Sequence, residues 1–233
     1  MQNAPTSQPN LPRLNLSPHI KAITFDVGGT LIQPWPSVGQ IYAEAACHHT
    51  GQNFSPQLLK QRFVAAWRAL EDFTHTRADW ARLVDATFEG LIEPLPSQTF
   101  FPELYEHFAQ PGAWRIFEDV LPTLDLLASR GLKLGVISNW DERLRPLLGH
   151  LKLQTYFDPI IISAELGFSK PSRVIFEAAS EKLGLLPGAI LHVGDSPPND
   201  AEAARAAGFR ALLLDRTAQD SGTECINSLH QLL

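Results

Sequence analysis

The sequence predicts an α/β fold, in which a doubly wound parallel sheet of five to six strands carries an inserted all-helical segment. Short apolar runs alternate with helical patterns after residue 113, as expected of a parallel sheet covered by helices. A similar run precedes a glycine pair near residue 25. Between these regions, helical patterns dominate residues 34–112 and no convincing strand pattern appears.

The first strand is predicted at residues 20–25, a β-rich run that ends at Asp26 and the turn formers Gly28 and Gly29. The preceding residues are rich in Gln, Asn, Pro and Ser, which predicts a flexible arm. The predicted division of the chain is therefore an arm over 1–18, an α/β core over 19–33 and 113–233, and a helical domain over 34–112.

Four helices are predicted in the helical segment from their end signals. Gly51 is expected to end the first helix, and Ser55 is expected to cap the second, with Pro56 in its first turn. The predicted ranges are 38–49, 56–73, 78–91 and 102–108.

Strands and helices alternate in the rest of the chain. The predicted helices cover 119–130, 142–148, 174–183 and 199–207, and the predicted strands cover 133–137, 159–162, 189–193 and 210–214. In a sheet of this kind, ligands bind beyond the carboxyl ends of the strands. The side chains that follow each strand are therefore the candidates for function.

Polar side chains stand at or just beyond those strand ends. They are Asp26, Ser138, Asn139, Lys170, Asp195 and Asp200. Each has an ordinary structural explanation when taken alone, such as a turn former or a solvated lysine. As a set, however, clustered carboxylates repel one another unless a cation lies between them, and a few hard oxygen ligands suit Mg²⁺. A divalent ion, a lysine and a serine hydroxyl together predict a phosphate site.

This ordered set resembles the haloacid dehalogenase superfamily of hydrolases. Four motifs carry the resemblance, at residues 25–31 (FDVGGTL), 136–139 (VISN), 170–171 (KP) and 193–200 (VGDSPPND). The stretches 119–122 and 138–144 are most similar to the branch named after haloacid dehalogenase-like hydrolase domain-containing protein 3. The resemblance covers residues 20–216, and it implies that the helical insert is the α-helical cap of that superfamily.

The resemblance implies a Mg²⁺-dependent phosphatase that hydrolyses phosphoric monoesters through an aspartyl-phosphate. Asp26 would be the nucleophile, with Thr30, Ser138 and Lys170 as the other catalytic residues. Phosphate would be held by Ser138, Asn139 and Lys170. The Mg²⁺ ligands would be Asp26, the Gly28 carbonyl, Asp195 and Asp200, the last directly or through Lys170 and water.

One position departs from the superfamily pattern. Gly28 stands where phosphatases of this kind carry a second Asp, which protonates the leaving group and later activates water. Three hypotheses follow: a weak phosphatase, a catalytically silent phosphate- or ligand-binding protein, and a relative with other chemistry on this fold. Dehalogenases have an aromatic residue there and use no metal, whereas phosphonate hydrolases use a cap lysine, for which Lys60 is the only candidate.

Several cap and rim residues are further candidates. Trp35 and Trp140 are expected near the mouth of the site. His48 and His49 are considered as replacements for the missing acid and base. Trp67 and Trp80 are expected in the core of the cap.

Composition excludes other classes of function. The chain has 19 basic and 25 acidic residues, a net charge of −6, and no basic stripe, which argues against nucleic-acid binding. No apolar run approaches the roughly 20 residues of a membrane span, and the N-terminus lacks a secretory pattern. Cys47 and Cys225 are expected to be reduced. These observations predict a cytoplasmic protein. The resemblance implies that it acts on a small phosphorylated metabolite, and we expect a monomer or homodimer.

Overall fold

A computed structural model describes residues 17–70, 73–219 and 222–233. Six strands in these ranges form a parallel sheet, and two more form an antiparallel pair. In chain order the strands are β1 (Ala22–Phe25), β2 (Ile32–Pro34), β3 (Trp114–Ile116), β4 (Lys133–Ser138), β5 (Ile160–Ile162), β6 (Ile190–Gly194), β7 (Arg210–Leu214) and β8 (Cys225–Ile226). The predicted parallel α/β sheet is confirmed.

The spatial order of the sheet is β5-β4-β1-β6-β7-β8. From β1 the chain runs outward through β4 and β5, then returns to the other side of β1 for β6, β7 and β8. The strand order therefore reverses at β1. A crevice forms at such a point beyond the carboxyl ends of the strands, so the ends of β1, β4 and β6 are the place to look for a site.

Helices cover the sheet and fill the insert. They are α1 (Val38–Thr50), α2 (Pro56–Ala69), α3 (Arg77–Phe88), α4 (Phe101–His107), α5 (Val120–Ser129), α6 (Leu144–His150), α7 (Ser163–Leu166), α8 (Arg173–Leu183) and α9 (Ala203–Ala206). As predicted, Gly51 ends α1 in the left-handed conformation, and the Ser55 side chain caps α2. Apart from Pro34 in β2, the described residues of the segment 34–112 contain no strand.

The apolar residues form three packed clusters. On one face of the sheet, residues such as Phe25 pack with α5 and α6, and on the other face Ile137 packs with α8 and α9. Helices α1 to α4 share a separate cluster around Tyr42, Phe88 and Phe100. The sheet is therefore covered on both faces, and the helical insert has its own apolar core.

Several local expectations need correction. Strands β2, β3 and β8 are too short to produce a pattern, and none of the three was predicted as an element. The predicted helix 199–207 is a π-type turn over Pro197–Glu202 followed by α9. Trp67 is 42% exposed instead of lying in a core, whereas Trp80 is partly buried against the insert's cluster.

Nearly all of the predicted arm, residues 1–16, and part of the predicted end of α2, residues 71–72, lie outside the described residues. Among the helices in the described ranges, none has the length and apolar character needed to cross a bilayer.

Candidate active site

The predicted site residues of β1 and β4 meet one lysine at the carboxyl edge of the sheet. The Ser138 hydroxyl donates a hydrogen bond of 2.9 Å to Asp26 Oδ1. Lys170 Nζ donates to the same oxygen at 2.7 Å and to Asp200 Oδ1 at 2.5 Å. All four residues are buried. The structure shows no hydrogen bond to Asp26 Oδ2 from any described residue, so that oxygen is the one available for chemistry.

The side-chain amide of Asn139 fixes the backbone at Lys170. Asn139 Nδ2 donates to the Lys170 carbonyl at 2.8 Å, and the Lys170 N–H donates to Asn139 Oδ1 at 2.7 Å. This pair of bonds holds the start of the lysine side chain beside β4. The predicted contact of Asn139 with phosphate stays a prediction, since both polar ends of its amide serve Lys170 here.

Two glycines allow the acidic side chains to approach the strand ends. Gly29 has a φ of +78°, and a Cβ atom there would lie 2.2 Å from Asp195 Oδ2. A Cβ atom at Gly194 would lie 2.2 Å from Asp200 Cγ. Any larger residue would clash with these carboxylates. Carboxylate oxygens of Asp26, Asp195 and Asp200 consequently lie within 4.8 Å of one another.

His192, which was not predicted as a site residue, forms a hydrogen bond with Asp200 from within β6. The ring of His192 is fully buried in β6, with Nε2 3.1 Å from Asp200 Oδ1 and Nδ1 2.9 Å from Thr24 Oγ1. Burial lowers the pKa of His192, so we assign the neutral ring that donates from Nε2 and accepts at Nδ1. A histidine within an otherwise apolar strand was the sequence pattern that could have identified His192 as a site residue.

The Lys170–Asp200 pair is charged. Burial alone would lower the pKa of Lys170, but the negative charges of Asp26 and Asp200 outweigh it and raise that pKa. Burial likewise opposes ionisation of Asp200, yet Lys170 and His192 hold its pKa well below the usual range. The ammonium group and the Asp200 carboxylate therefore offset each other within the site.

For the other two carboxylates, Asp26 and Asp195, the effects that raise the pKa outweigh the attraction of Lys170. Burial and the charge of Asp200 raise the pKa of Asp26, against the opposing effect of Lys170. Removal from solvent and the charges of Asp26 and Asp200 raise the pKa of Asp195 to about 7, although Asp195 lies at the exposed rim. With all three carboxylates ionised and one lysine charged, the net charge is −3 + 1 = −2. This oxygen-donor set therefore fits one Mg²⁺ ion.

The contacts of two predicted site residues, Thr30 and Gly28, could not be read from the sequence. Thr30 is buried, its Oγ1 has no hydrogen-bond partner, and its carbonyl accepts from Arg216 Nη2 at 2.7 Å. Gly28, unlike Gly29, does not have a positive φ. A Cβ atom at Gly28 would lie 3.2 Å from Cζ3 of Trp140, so the indole ring borders the place of the missing acid.

The helical insert contacts the loop that follows Ser138 and Asn139. The Arg143 guanidinium lies 3.4 Å from the centre of the Tyr105 ring in α4, and its Nη1 donates to the Tyr105 carbonyl at 2.8 Å. The Tyr105 hydroxyl lies 3.4 Å from Asp141 Oδ2. The insert is thus joined to the loop that directly follows Ser138 and Asn139.

The remaining candidates lie at the rim or in the insert. Trp35 is 46% exposed, whereas Trp140 is 9% exposed and packs against Trp114. His48 and His49 lie together with Glu103 on the insert, and the structure shows no contact between either histidine and Asp26.

Sequence comparison identifies the family. The sequence pattern of the haloacid dehalogenase-like hydrolases matches residues 20–208, a span that contains all of the residues predicted for the site. The chain belongs to the haloacid dehalogenase-like hydrolases. Relatives with phosphatase activity in their names occur among the proteins that resemble it.

Three comparisons show how far the likeness extends. Haloacid dehalogenase-like hydrolase domain-containing protein 3 from Homo sapiens is 32% identical over 219 residues, 87% of each chain. A phosphoglycolate phosphatase from Chromobacterium violaceum is 32% identical over 216 residues, 88% of this chain and 89% of its own. The crystal structure of a phosphatase of this family from Thermococcus onnurineus covers 91% of this chain and 96% of its own, with 26% identity and a TM-score of 0.65.

Proposed function

We propose that this haloacid dehalogenase-like hydrolase is a Mg²⁺-dependent phosphatase that forms an aspartyl-phosphate at Asp26. One observation carries the proposal. Ser138 and Lys170 both donate to Oδ1 of Asp26, beside two further carboxylates within 4.8 Å. A buried carboxylate with one free oxygen, flanked by a lysine and a hydroxyl, suits attack on a phosphoryl group.

In the first step, Oδ2 of Asp26 attacks phosphorus, a new O–P bond forms, and the bond from phosphorus to the leaving-group oxygen breaks. Ser138 and Lys170 turn from Asp26 toward the phosphoryl oxygens and stabilise their charge. Asp26, Asp195 and Asp200 would hold the Mg²⁺ ion, which when bound offsets the repulsion between the carboxylate and the phosphate. The leaving oxygen departs with the bonding electron pair and takes a proton from solvent water.

In the second step, water attacks phosphorus and loses a proton to solvent, the bond between phosphorus and Asp26 breaks, and inorganic phosphate leaves. Gly28 offers no side chain to supply the first proton or to accept a proton from this water. General acid–base catalysis contributes about 10²- to 10⁴-fold. We therefore infer fast phosphorylation of Asp26 only by esters with acidic leaving groups, and slow hydrolysis of the aspartyl-phosphate.

The proposed substrate is a small phosphorylated metabolite of the cytoplasm. Residues 34–112 would act as a cap over it, because α4 contacts the loop after Ser138 through Tyr105 and Arg143. The likeness to a phosphoglycolate phosphatase supports a compact acidic substrate, and phosphoglycolate is one compound to test.

Phosphate release from a panel of monoesters, with Mg²⁺ and with a chelator, tests the proposal. Release should require Mg²⁺ and should be lost in Asp26→Asn, which is close in shape but a poor nucleophile. Asp195→Asn should weaken Mg²⁺ binding measured by calorimetry. Asp125→Asn, at an exposed position on α5, is the matched control and should behave as wild type. Metal-independent release, or full activity in Asp26→Asn, would overturn the proposal.

A silent binding protein is the second candidate, and the position of Trp140 beside Gly28 favours it. The ring borders the space in which the missing acid would stand. A silent protein would bind inorganic phosphate in the presence of Mg²⁺ but release none from any ester. Such a result, with binding lost in Lys170→Ala, would replace the phosphatase proposal.

A further inference from the structure

We propose that His48, His49 and Glu103 form a binding site for a divalent transition-metal ion such as Zn²⁺, separate from the carboxylate site at Asp26. The three residues belong to the helical insert, His48 and His49 to the last turn of α1 and Glu103 to the first turn of α4. This site lies outside the proposed reaction and does not depend on the proposed function.

The donor atoms are already close together. One ligand atom from each residue lies within 4.8 Å of the other two, and His49 Nε2 is 2.8 Å from Glu103 Oε2. Zinc bonds of about 2.0–2.2 Å to nitrogen and oxygen in a tetrahedron place donors about 3.4 Å apart. Small side-chain movements would bring the three atoms to that spacing, and all three residues are exposed enough to make them.

Packing restricts the two rings. His49 stacks on the buried ring of Phe100, with centroids 5.2 Å apart and planes at 17°. His48 meets His49 edge-on, with centroids 5.0 Å apart and planes at 88°. Part of the entropy cost of ordering the ligands is therefore met before an ion binds. The exposed side of Glu103 leaves room for water to complete the coordination.

The chemistry of the donors separates this site from the one at Asp26. Two imidazole nitrogens and one carboxylate oxygen form a set that zinc uses in proteins. The cluster of Asp26, Asp195 and Asp200 offers oxygen atoms alone, which suits Mg²⁺. The carboxyl end of α1 adds a partial negative charge close to both histidines, and this favours a cation. One chain can therefore select two different ions.

An ion at this position would fasten the end of α1 to the start of α4. Helix α4 also contains Tyr105, which contacts Arg143 in the loop after Ser138. Glu103 therefore lies on the helix that contacts the α/β core, two residues before Tyr105. Binding should therefore stabilise the folded protein against heat.

Zinc titration of the full-length protein in excess Mg²⁺ tests the inference, since excess Mg²⁺ competes with Zn²⁺ for the oxygen-donor cluster. Calorimetry should show one Zn²⁺ per chain for wild type. His49→Ala and Glu103→Gln should each lower the affinity at least about tenfold, because loss of even an outer partner of a ligand costs about 10- to 100-fold. Zinc should raise the Tm of wild type more than that of either variant.

Matched controls come from the same two helices. His107→Ala and Glu106→Gln remove an exposed histidine and an exposed glutamate of α4, and Cys47→Ser removes the thiol of α1. All three should keep the wild-type affinity within about twofold. Absence of zinc binding by wild type, unchanged affinity in His49→Ala, or loss of binding in Cys47→Ser would each overturn the inference. None of these outcomes bears on the role of Asp26.

Discussion

The indole ring of Trp140 lies beside Gly28, with Cζ3 only 3.2 Å from the point where a Cβ atom of residue 28 would stand. The ring has little freedom to move away. It is 9% exposed, and its centroid is 5.1 Å from that of Trp114. An acid at residue 28 would therefore require the ring to shift by a few tenths of an ångström, and a smaller residue at position 140 removes that requirement.

Gly28→Ala should lower the free energy of unfolding by about 1–2 kcal/mol, because the added methyl group overpacks the space beside Trp140. Urea denaturation measures the change. Gly188→Ala is the matched control, since its Cβ atom would meet no atom within 4 Å and its φ is not positive. In a Trp140→Leu background the cost of Gly28→Ala should shrink. An equal cost in both backgrounds would contradict the contact.

The proposed enzyme should prefer aryl phosphates over alkyl phosphates in kcat/KM by a margin approaching the 10²- to 10⁴-fold worth of a general acid. Aryl leaving groups are acidic and need little protonation, whereas alkoxides need it most. Gly28→Asp in the Trp140→Leu background should raise kcat/KM for alkyl esters more than for aryl esters, relative to Trp140→Leu alone, because kcat/KM reports the step in which the leaving group departs. Equal effects on both ester classes would show that the acid missing at residue 28 does not determine the preference for aryl esters.

His75 should make the protein less stable in mild acid. Its ring is 5% exposed with an unpartnered Nδ1, and burial lowers its pKa from 6.5 to about 4. Between these values the unfolded chain binds more protons than the folded chain, so stability rises with pH. Protonation of His75 in the unfolded chain alone should cost about 2 kcal/mol of stability at pH 5 compared with pH 8.

His75→Asn is the matched variant, because Asn tolerates the φ of 66° at this position and does not titrate. Urea denaturation at pH 5 and pH 8 should show a smaller acid loss in the variant than in wild type. The same loss of stability at pH 5 in both proteins would mean that groups other than His75 cause it.

Asp119→Ala should lower the free energy of unfolding by about 3 kcal/mol, because it leaves the partly buried Arg216 without its carboxylate partner. The buried Asp119 carboxylate accepts hydrogen bonds from Arg216, from the Ser228 hydroxyl and from the Leu229 N–H. These bonds tie the end of the chain to the start of α5. Glu118→Ala, whose side chain is 91% exposed, should change stability by less than about 0.5 kcal/mol. Similar losses in both variants would contradict a tethering role.

Much of the fold and part of the site were predictable from local pattern. The apolar runs at β1, β4, β5, β6 and β7 are long enough to reveal parallel strands, and parallel strands bring their carboxyl ends to one edge. The proximity of Asp26, Ser138 and Asp195 follows from that geometry. The two residues of β8 were too few to form a pattern.

The remainder depends on contacts between distant parts of the chain. No local pattern places Trp140 beside Gly28, because the contact arises only when β1 and β4 pair and the following loops meet. The Tyr105–Arg143 contact likewise joins the insert to the core. Lys170 was a candidate from its place after a predicted strand and received its role from the resemblance. Its bonds to Asp26 and Asp200 depend on the way Asn139 holds its backbone.

The central claim is that Asp26 becomes phosphorylated, and trapping that species tests it most directly. Because Gly28 cannot activate water, the aspartyl-phosphate should accumulate during turnover of an aryl phosphate with Mg²⁺. Acid quenching followed by mass spectrometry of the peptide that contains Asp26 should detect one added phosphoryl group in wild type and none in Asp26→Asn. An unmodified wild-type peptide, together with phosphate release that continues in Asp26→Asn, would contradict the account.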